Sequence, residues 1–150
     1  MKNLLFFFLI GLTLVGCGSQ NPKILSTSTN PHETSDQYEP FFDVVEDAPD
    51  KTYGLSETNP VKVGGFETRE GPSNQRRFLS SLAGPNGEIL TFHRRGSCCP
   101  YESENGYGGH ALVDVYEVFY EGLKKPILVY ISLYDTEKLY IPKGFTKKVH

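Results

Sequence analysis

The chain has 150 residues, with 15 Lys and Arg against 18 Asp and Glu, a formal charge of -3 and 38% hydrophobic residues. That length suits one ordinary domain with an appendage better than two domains, and the absence of a cationic excess argues against nucleic acid as a partner. With 3 cysteines and 4 histidines in all, thiol or imidazole chemistry has few residues to draw on.

Lys2 precedes an apolar run from Leu4 to Val15, followed by Gly16 and Cys17. A charged start, an apolar stretch shorter than the about 20 residues of a transmembrane helix, and a small residue before a cysteine describe a signal peptide over residues 1–16. Leu14-Val15-Gly16-Cys17 resembles a lipoprotein processing site, so the mature chain is expected to begin at a lipidated Cys17. Its sulfur would carry diacylglycerol and its amino group often a further acyl chain such as palmitate, and two or more chains hold a protein stably on a bilayer. The membrane is then a partner through the lipid. By resemblance to the sorting rules of other bacterial lipoproteins, Gly18 in place of an acidic residue argues against inner-membrane retention and implies the outer membrane of a bacterial envelope, facing the periplasm.

Residues 17–50 read as a flexible tether, because Ser26 to Asp36 is polar and has too little apolar surface to offset the entropy of ordering. Within the tether, Tyr38 to Val45 is an apolar island that can dock on the domain or serve as a short recognition element. A single small domain is expected over 51–150. Val61-Lys62-Val63 is a short strand candidate closed by Gly64 and Gly65. Ser73 can cap a helix running from Asn74 to Leu82, with Phe78, Leu79 and Leu82 on one face and Gly84-Pro85 ending it.

Asn86-Gly87 signals a turn into a strand from Glu88 to Arg95 whose Leu90 and Phe92 face the core. A Gly-rich loop over 105–109 leads to the strand Ala111 to Glu121, rich in β-branched and aromatic residues. Gly122 to Pro126 turns it back into Ile127 to Tyr134, where Ile127, Val129, Ile131 and Leu133 share an aliphatic face. Leu139-Tyr140-Ile141 can add a short strand. The order predicts an α+β fold, an antiparallel sheet of about four to five strands with one packed amphipathic helix.

The densest group of chemistry-bearing residues is His93, Arg94, Arg95, Cys98 and Cys99, with His110 beyond the Gly-rich loop. With Cys17 committed to lipid, Cys98 and Cys99 are the remaining sulfurs in an oxidising compartment. Three readings stay open: a buried cysteine beside a loop cysteine, a vicinal disulfide acting as a rigid turn or redox element, and metal binding with His93 or His110. The third lacks the usual spacer between paired cysteine ligands, so no metal and no cofactor is expected. Arginine suits bidentate binding of carboxylate or phosphate, so Arg94 or Arg95 can meet an anionic ligand, or both can be surface residues offset by Glu102 and Glu104. Asp114, inside an apolar strand, must face solvent or be paired, with an arginine of the neighbouring strand as its candidate partner. Gly106-Tyr107-Gly108-Gly109 lacks the spacing, helix and lysine of a phosphate-binding loop, and Ser97 lacks the surroundings of a nucleophile elbow.

Asn59 to Gly65, Arg76-Arg77-Phe78-Leu79, Gly84 to Gly87, Gly96-Ser97-Cys98-Cys99-Pro100 and Asp114 to Val118 resemble a set of small lipoproteins of Bacteroidota, over roughly residues 53–146. The resemblance implies an envelope protein. It also brings the label 2-dehydro-3-deoxyphosphooctonate aldolase, an activity whose (β/α)₈ barrel needs at least about 200 residues of alternating strand and helix. No catalytic residue of that enzyme has a matching motif here, and none is carried over. The expectation is a non-catalytic, membrane-anchored domain that binds an envelope protein or an anionic ligand through His93 to Cys99 and His110. The alternative is a thiol- or metal-dependent enzyme using Cys98 and Cys99 with His93 or His110.

Overall fold

The computed structural model describes residues 33–35 and 42–149. The signal peptide, Cys17 and most of the expected tether lie outside the described residues. The elements in chain order are β1 (Glu33–Thr34), β2 (Val61–Lys62), α1 (Gly71–Ser80), β3 (Leu82–Ala83), β4 (Thr91–Tyr107), β5 (His110–Phe119), β6 (Ile127–Ser132) and β7 (Thr146–Lys147). Five strands form one sheet in the order β1-β4-β5-β6-β2, and β3 pairs with β7 in a two-stranded ribbon. Among the described residues the architecture is thus sheet with one short helix, in keeping with an α+β class. The sheet is mixed rather than antiparallel, because β2 runs parallel to β6, with Val61 opposite Ile131.

The helix starts earlier than expected. Glu70 stands at its N-cap without a side-chain cap bond, and Pro72 occupies the first turn, where a missing N–H costs nothing and a fixed φ is already helical. Ser73 is therefore inside the helix, and Leu82 belongs to β3. A side chain in place of Gly71 would press on Leu133, its Cβ lying 2.7 Å from that of Leu133, so the bare backbone lets α1 sit close against the end of β6.

Phe78 and Leu79 from α1, Leu90, Phe92, Tyr116, Val118, Val129 and Ile131 are buried in one core, and each fully buried side chain of this kind contributes about 1.5–3 kcal/mol of transfer free energy. Leu90, Phe92 and the β6 face of Val129 and Ile131 lie where their alternation predicts. Leu139–Ile141 does not form a strand: Ile141 makes a single parallel bridge with Asp47. Residues 42–50 lie on the domain, with Val44 buried and Ala48 and Glu46 hydrogen-bonded to Ile141, which is the docked alternative for the end of the apolar island.

The Gly-rich loop is part of the longest hairpin. β4 continues to Tyr107, and Gly108 and Gly109, at φ +63° and +82°, make the two-residue turn in which both centres require positive φ. The arm is tied down by Asp135, which accepts hydrogen bonds from Tyr101 (2.7 Å), Ser103 (2.7 Å) and Asn105 (2.8 Å).

Candidate functional site

The β4–β5 register decides which of the expected residues meet. Arg94 is opposite Tyr116, Gly96 opposite Val115 and Ser97 opposite Asp114, so Arg95 is an extra residue without a partner on β5. In a regular strand residues three apart point to opposite faces. The bulge cancels that alternation and brings Arg94 and Ser97 onto the same face, beside Asp114 and Tyr116 and under α1.

On this face Asp114 is the hub. Its Oδ1 accepts hydrogen bonds from Arg94 Nη2 and Ser97 Oγ, both at 2.7 Å, and its Oδ2 accepts one from Gln75 Nε2 at 2.8 Å. Gln75 Oε1 in turn accepts a hydrogen bond from Tyr116 Oη at 3.0 Å. Gln75 is fully buried at the centre of α1, and a buried amide needs such partners. Burial pushes the Asp114 carboxyl up, but hydrogen bonds from Arg94, Ser97 and Gln75 and the Arg94 charge outweigh it and hold the group below the ordinary carboxylate range. The hydrogen bond to Asp114 raises the already high Arg94 pKa further. The two charges differ in exposure: the Arg94 side chain is 46% exposed and that of Asp114 12%.

A cleft of about 460 Å³ opens above this network, walled by Pro72, Arg76, Leu112, Leu133 and Tyr134 and bordered by Glu33. Glu33 belongs to β1, which lies against Thr91 and Phe92 of β4 and brings its carboxylate within 3.7 Å of Arg76. Arg76 thus adds a second guanidinium to the cleft of Arg94, whereas Arg77 turns to Asn74 and Glu70.

The remaining expected residues go elsewhere. His93 and Arg95 lie on the opposite face, where Glu117 holds them at 3.1 and 3.7 Å. The acids that offset Arg94 and Arg95 are therefore Asp114 and Glu117 from the paired strand, not Glu102 and Glu104. Cys98 and Cys99 form a disulfide, with Cys99 at φ +50° and Pro100 next. His110 is at the far end of the arm, paired with Glu102 and Tyr107. His93, His110 and the sulfurs do not converge, so neither the metal set nor the thiol–histidine set that the sequence allowed is assembled. The single His/Cys/Asp/Glu grouping of ligand spacing among the described residues is Glu57 with Cys98 and Cys99, and sulfurs bonded to each other offer no thiolate for a metal.

Sequence reasoning missed Gln75, Glu33 and Glu57. A glutamine beside two arginines on an amphipathic helix reads as surface, and nothing in the spacing reveals that it faces Asp114. Among the described residues no helix is long and apolar enough to cross a membrane. No protein-family model, no curated protein and no solved structure matches the chain.

Proposed function

We propose that this chain is a lipid-anchored protein of the bacterial envelope whose domain is a binding module, taking an organic ligand with a carboxylate group into the cleft beneath α1. The observation that supports it is the state of Arg94. One guanidinium nitrogen, Nη2, is committed to Asp114 and Ser97, which fixes the plane of the fork. The Nη1 and Nε groups have no hydrogen-bond partner among the described residues, and they stand in a cleft with aliphatic and aromatic walls. A pre-oriented guanidinium that still has Nη1 and Nε N–H groups to donate suits a carboxylate oxygen as a charge-assisted acceptor, and the cleft is of a size that holds a small molecule.

Binding fits this network better than catalysis. Ser97 gives its hydroxyl proton to Asp114, but a carboxyl held below its usual range is a poor proton acceptor, so the pair does not activate a nucleophile. Asp114 instead acts as the post that keeps Arg94 in place. The lipid anchor at Cys17 and the outer-membrane, periplasm-facing location complete the proposal, and Cys17→Ala should abolish incorporation of labelled palmitate.

The cleft is tested by titrating the protein with glucuronate, using glucose as its uncharged counterpart, and following amide and side-chain NMR shifts. Glucuronate should move the signals of Arg94, Ser97 and Gln75, glucose should not, and Arg94→Ala should remove the response while the core signals stay in place. No response to glucuronate, or the same response in Arg94→Ala, would overturn the assignment.

A further inference from the structure

The face of the sheet turned away from α1 holds a second recess, about 380 Å³, whose floor is Val115, Leu128 and Tyr130 and whose rim carries Arg95, Glu57 and the Cys98–Cys99 disulfide. Glu57 Oε2 lies 3.2 Å from Cys99 Sγ. A disulfide sulfur has no proton to give, so in the oxidised protein this is a contact of carboxylate oxygen on sulfur. In the reduced protein the same spacing is that of a thiol donating to a carboxylate.

Glu57 is held there by its loop. Asn59 Nδ2 donates to Asp50 and Thr52 at 3.2 and 3.0 Å, Asn59 N–H donates to the Ser56 carbonyl at 3.1 Å, and the Gly54 carbonyl accepts from Tyr130 N–H at 2.8 Å. The last bond clips the loop to β6, the strand that supplies Leu128 and Tyr130 of the recess floor. Cys98 and Cys99 are half-buried, and Cys99 is kept at φ +50°, a left-handed backbone conformation that a non-glycine residue rarely adopts, a kind of strain that collects at functional sites.

We infer that Cys98–Cys99 is a thiol–disulfide exchange site that takes two electrons from a dithiol, with Glu57 as its proton-transfer group. The donor's first sulfur bonds to Cys98 Sγ, the Cys98–Cys99 bond breaks, and its electron pair goes to Cys99 Sγ. The proton lost by the attacking thiol passes through Glu57 to Cys99, because a carboxylate beside that sulfur disfavours a thiolate there. The donor's second sulfur then displaces Cys98 Sγ, which takes the second thiol's proton. The donor leaves as a disulfide and the protein holds two thiols. The apolar floor accepts the donor's carbon chain.

The test uses the full-length protein and dithiothreitol, followed by maleimide labelling and mass spectrometry across pH. The site should be reduced without loss of the near-ultraviolet circular dichroism of the folded state. Glu57→Gln should slow reduction roughly tenfold or more and flatten its pH dependence, and Glu57→Asp should recover part of the rate. A disulfide that reacts only after denaturation overturns the assignment, as does Glu57→Gln reacting at the parental rate with the parental pH profile.

Discussion

Asp114→Ala takes away the acceptor on which α1 and β4 converge, and the loss can be apportioned bond by bond. The Gln75 amide is fully buried and donates to Asp114 at 2.8 Å, with only a long 3.4 Å contact to the Ile131 carbonyl left to it. A buried hydrogen bond to a charged group is worth about 1.5–3 kcal/mol. Arg94 is half-exposed and Ser97 is exposed, so water replaces much of what they lose and together they add at most about 1 kcal/mol. The sum is about 2–4 kcal/mol, or a fall in Tm of roughly 10–20 °C for a domain of this size. Asp114→Asn is milder, since it keeps an oxygen for Arg94 and Ser97. It sets one amide NH2 against another at Gln75, and turning Gln75 over would sacrifice the bond from Tyr116. Because the folded-state pKa of Asp114 is depressed, its contribution is fully present above the unfolded value of about 3.9 and disappears as pH falls through the lower folded value. Urea titrations monitored by tyrosine fluorescence, repeated down the acid limb, measure both effects. A loss below about 0.5 kcal/mol in Asp114→Ala, or an acid limb of Asp114→Asn that superimposes on the parent, would refute the hub role.

Two further perturbations address the β4–β5 arm. In Gly106→Ala the new methyl group meets the His110 carbonyl, so the backbone must open at a cost of about 1–3 kcal/mol. Hydrogen exchange should accelerate across 102–110 while 113–118 stay protected, and uniform protection would contradict the close approach. Asp135→Ala removes the shared acceptor of Tyr101, Ser103 and Asn105 and should loosen the same arm without unfolding the core. Burial raises the Asp135 pKa, but hydrogen bonds from Asn105, Ser103 and Tyr101 and the charge of Lys62 more than reverse this. In the parent the attachment should therefore weaken only as pH drops below the unfolded value of about 3.9 and through the folded one. Exchange rates in the arm against pH check this, and an arm that loosens near neutrality would sink the explanation.

Side-chain alternation made the inner face of the sheet legible. Leu90, Phe92, Val129 and Ile131 are buried where a period of two places them, and of the two alternatives for Asp114, solvent or a pair, the structure has the pair, with an arginine of the neighbouring strand. The bulge was not legible, because Arg95 has no composition that marks it as unpaired, and with it went the meeting of Arg94 and Ser97. Strand direction was also hidden: Val61-Lys62 has the same pattern whether it runs parallel or antiparallel to β6. Pro72, whose ring suits the first helical turn, marks the start of α1 better than Ser73 does. The cysteines announced a disulfide as one of three readings, but Glu57 could not be found, since its approach to Cys99 depends on how the loop over 50–59 crosses the sheet.

The parallel pairing of β2 with β6 has a bearing on the order in which the molecule assembles. β4, β5 and β6 follow one another through turns and can zip with little loop closure, whereas β2 must wait for a partner that lies beyond all of them in the chain. Non-local pairing of this kind is slow to form. The loop that carries Glu57 immediately precedes β2 and docks on β6 through Gly54 and Tyr130, so it settles late. The two sulfurs, adjacent in sequence on an early-forming hairpin, can thus be oxidised before their carboxylate neighbour arrives, and the arrival of Glu57 reports that the sheet is complete.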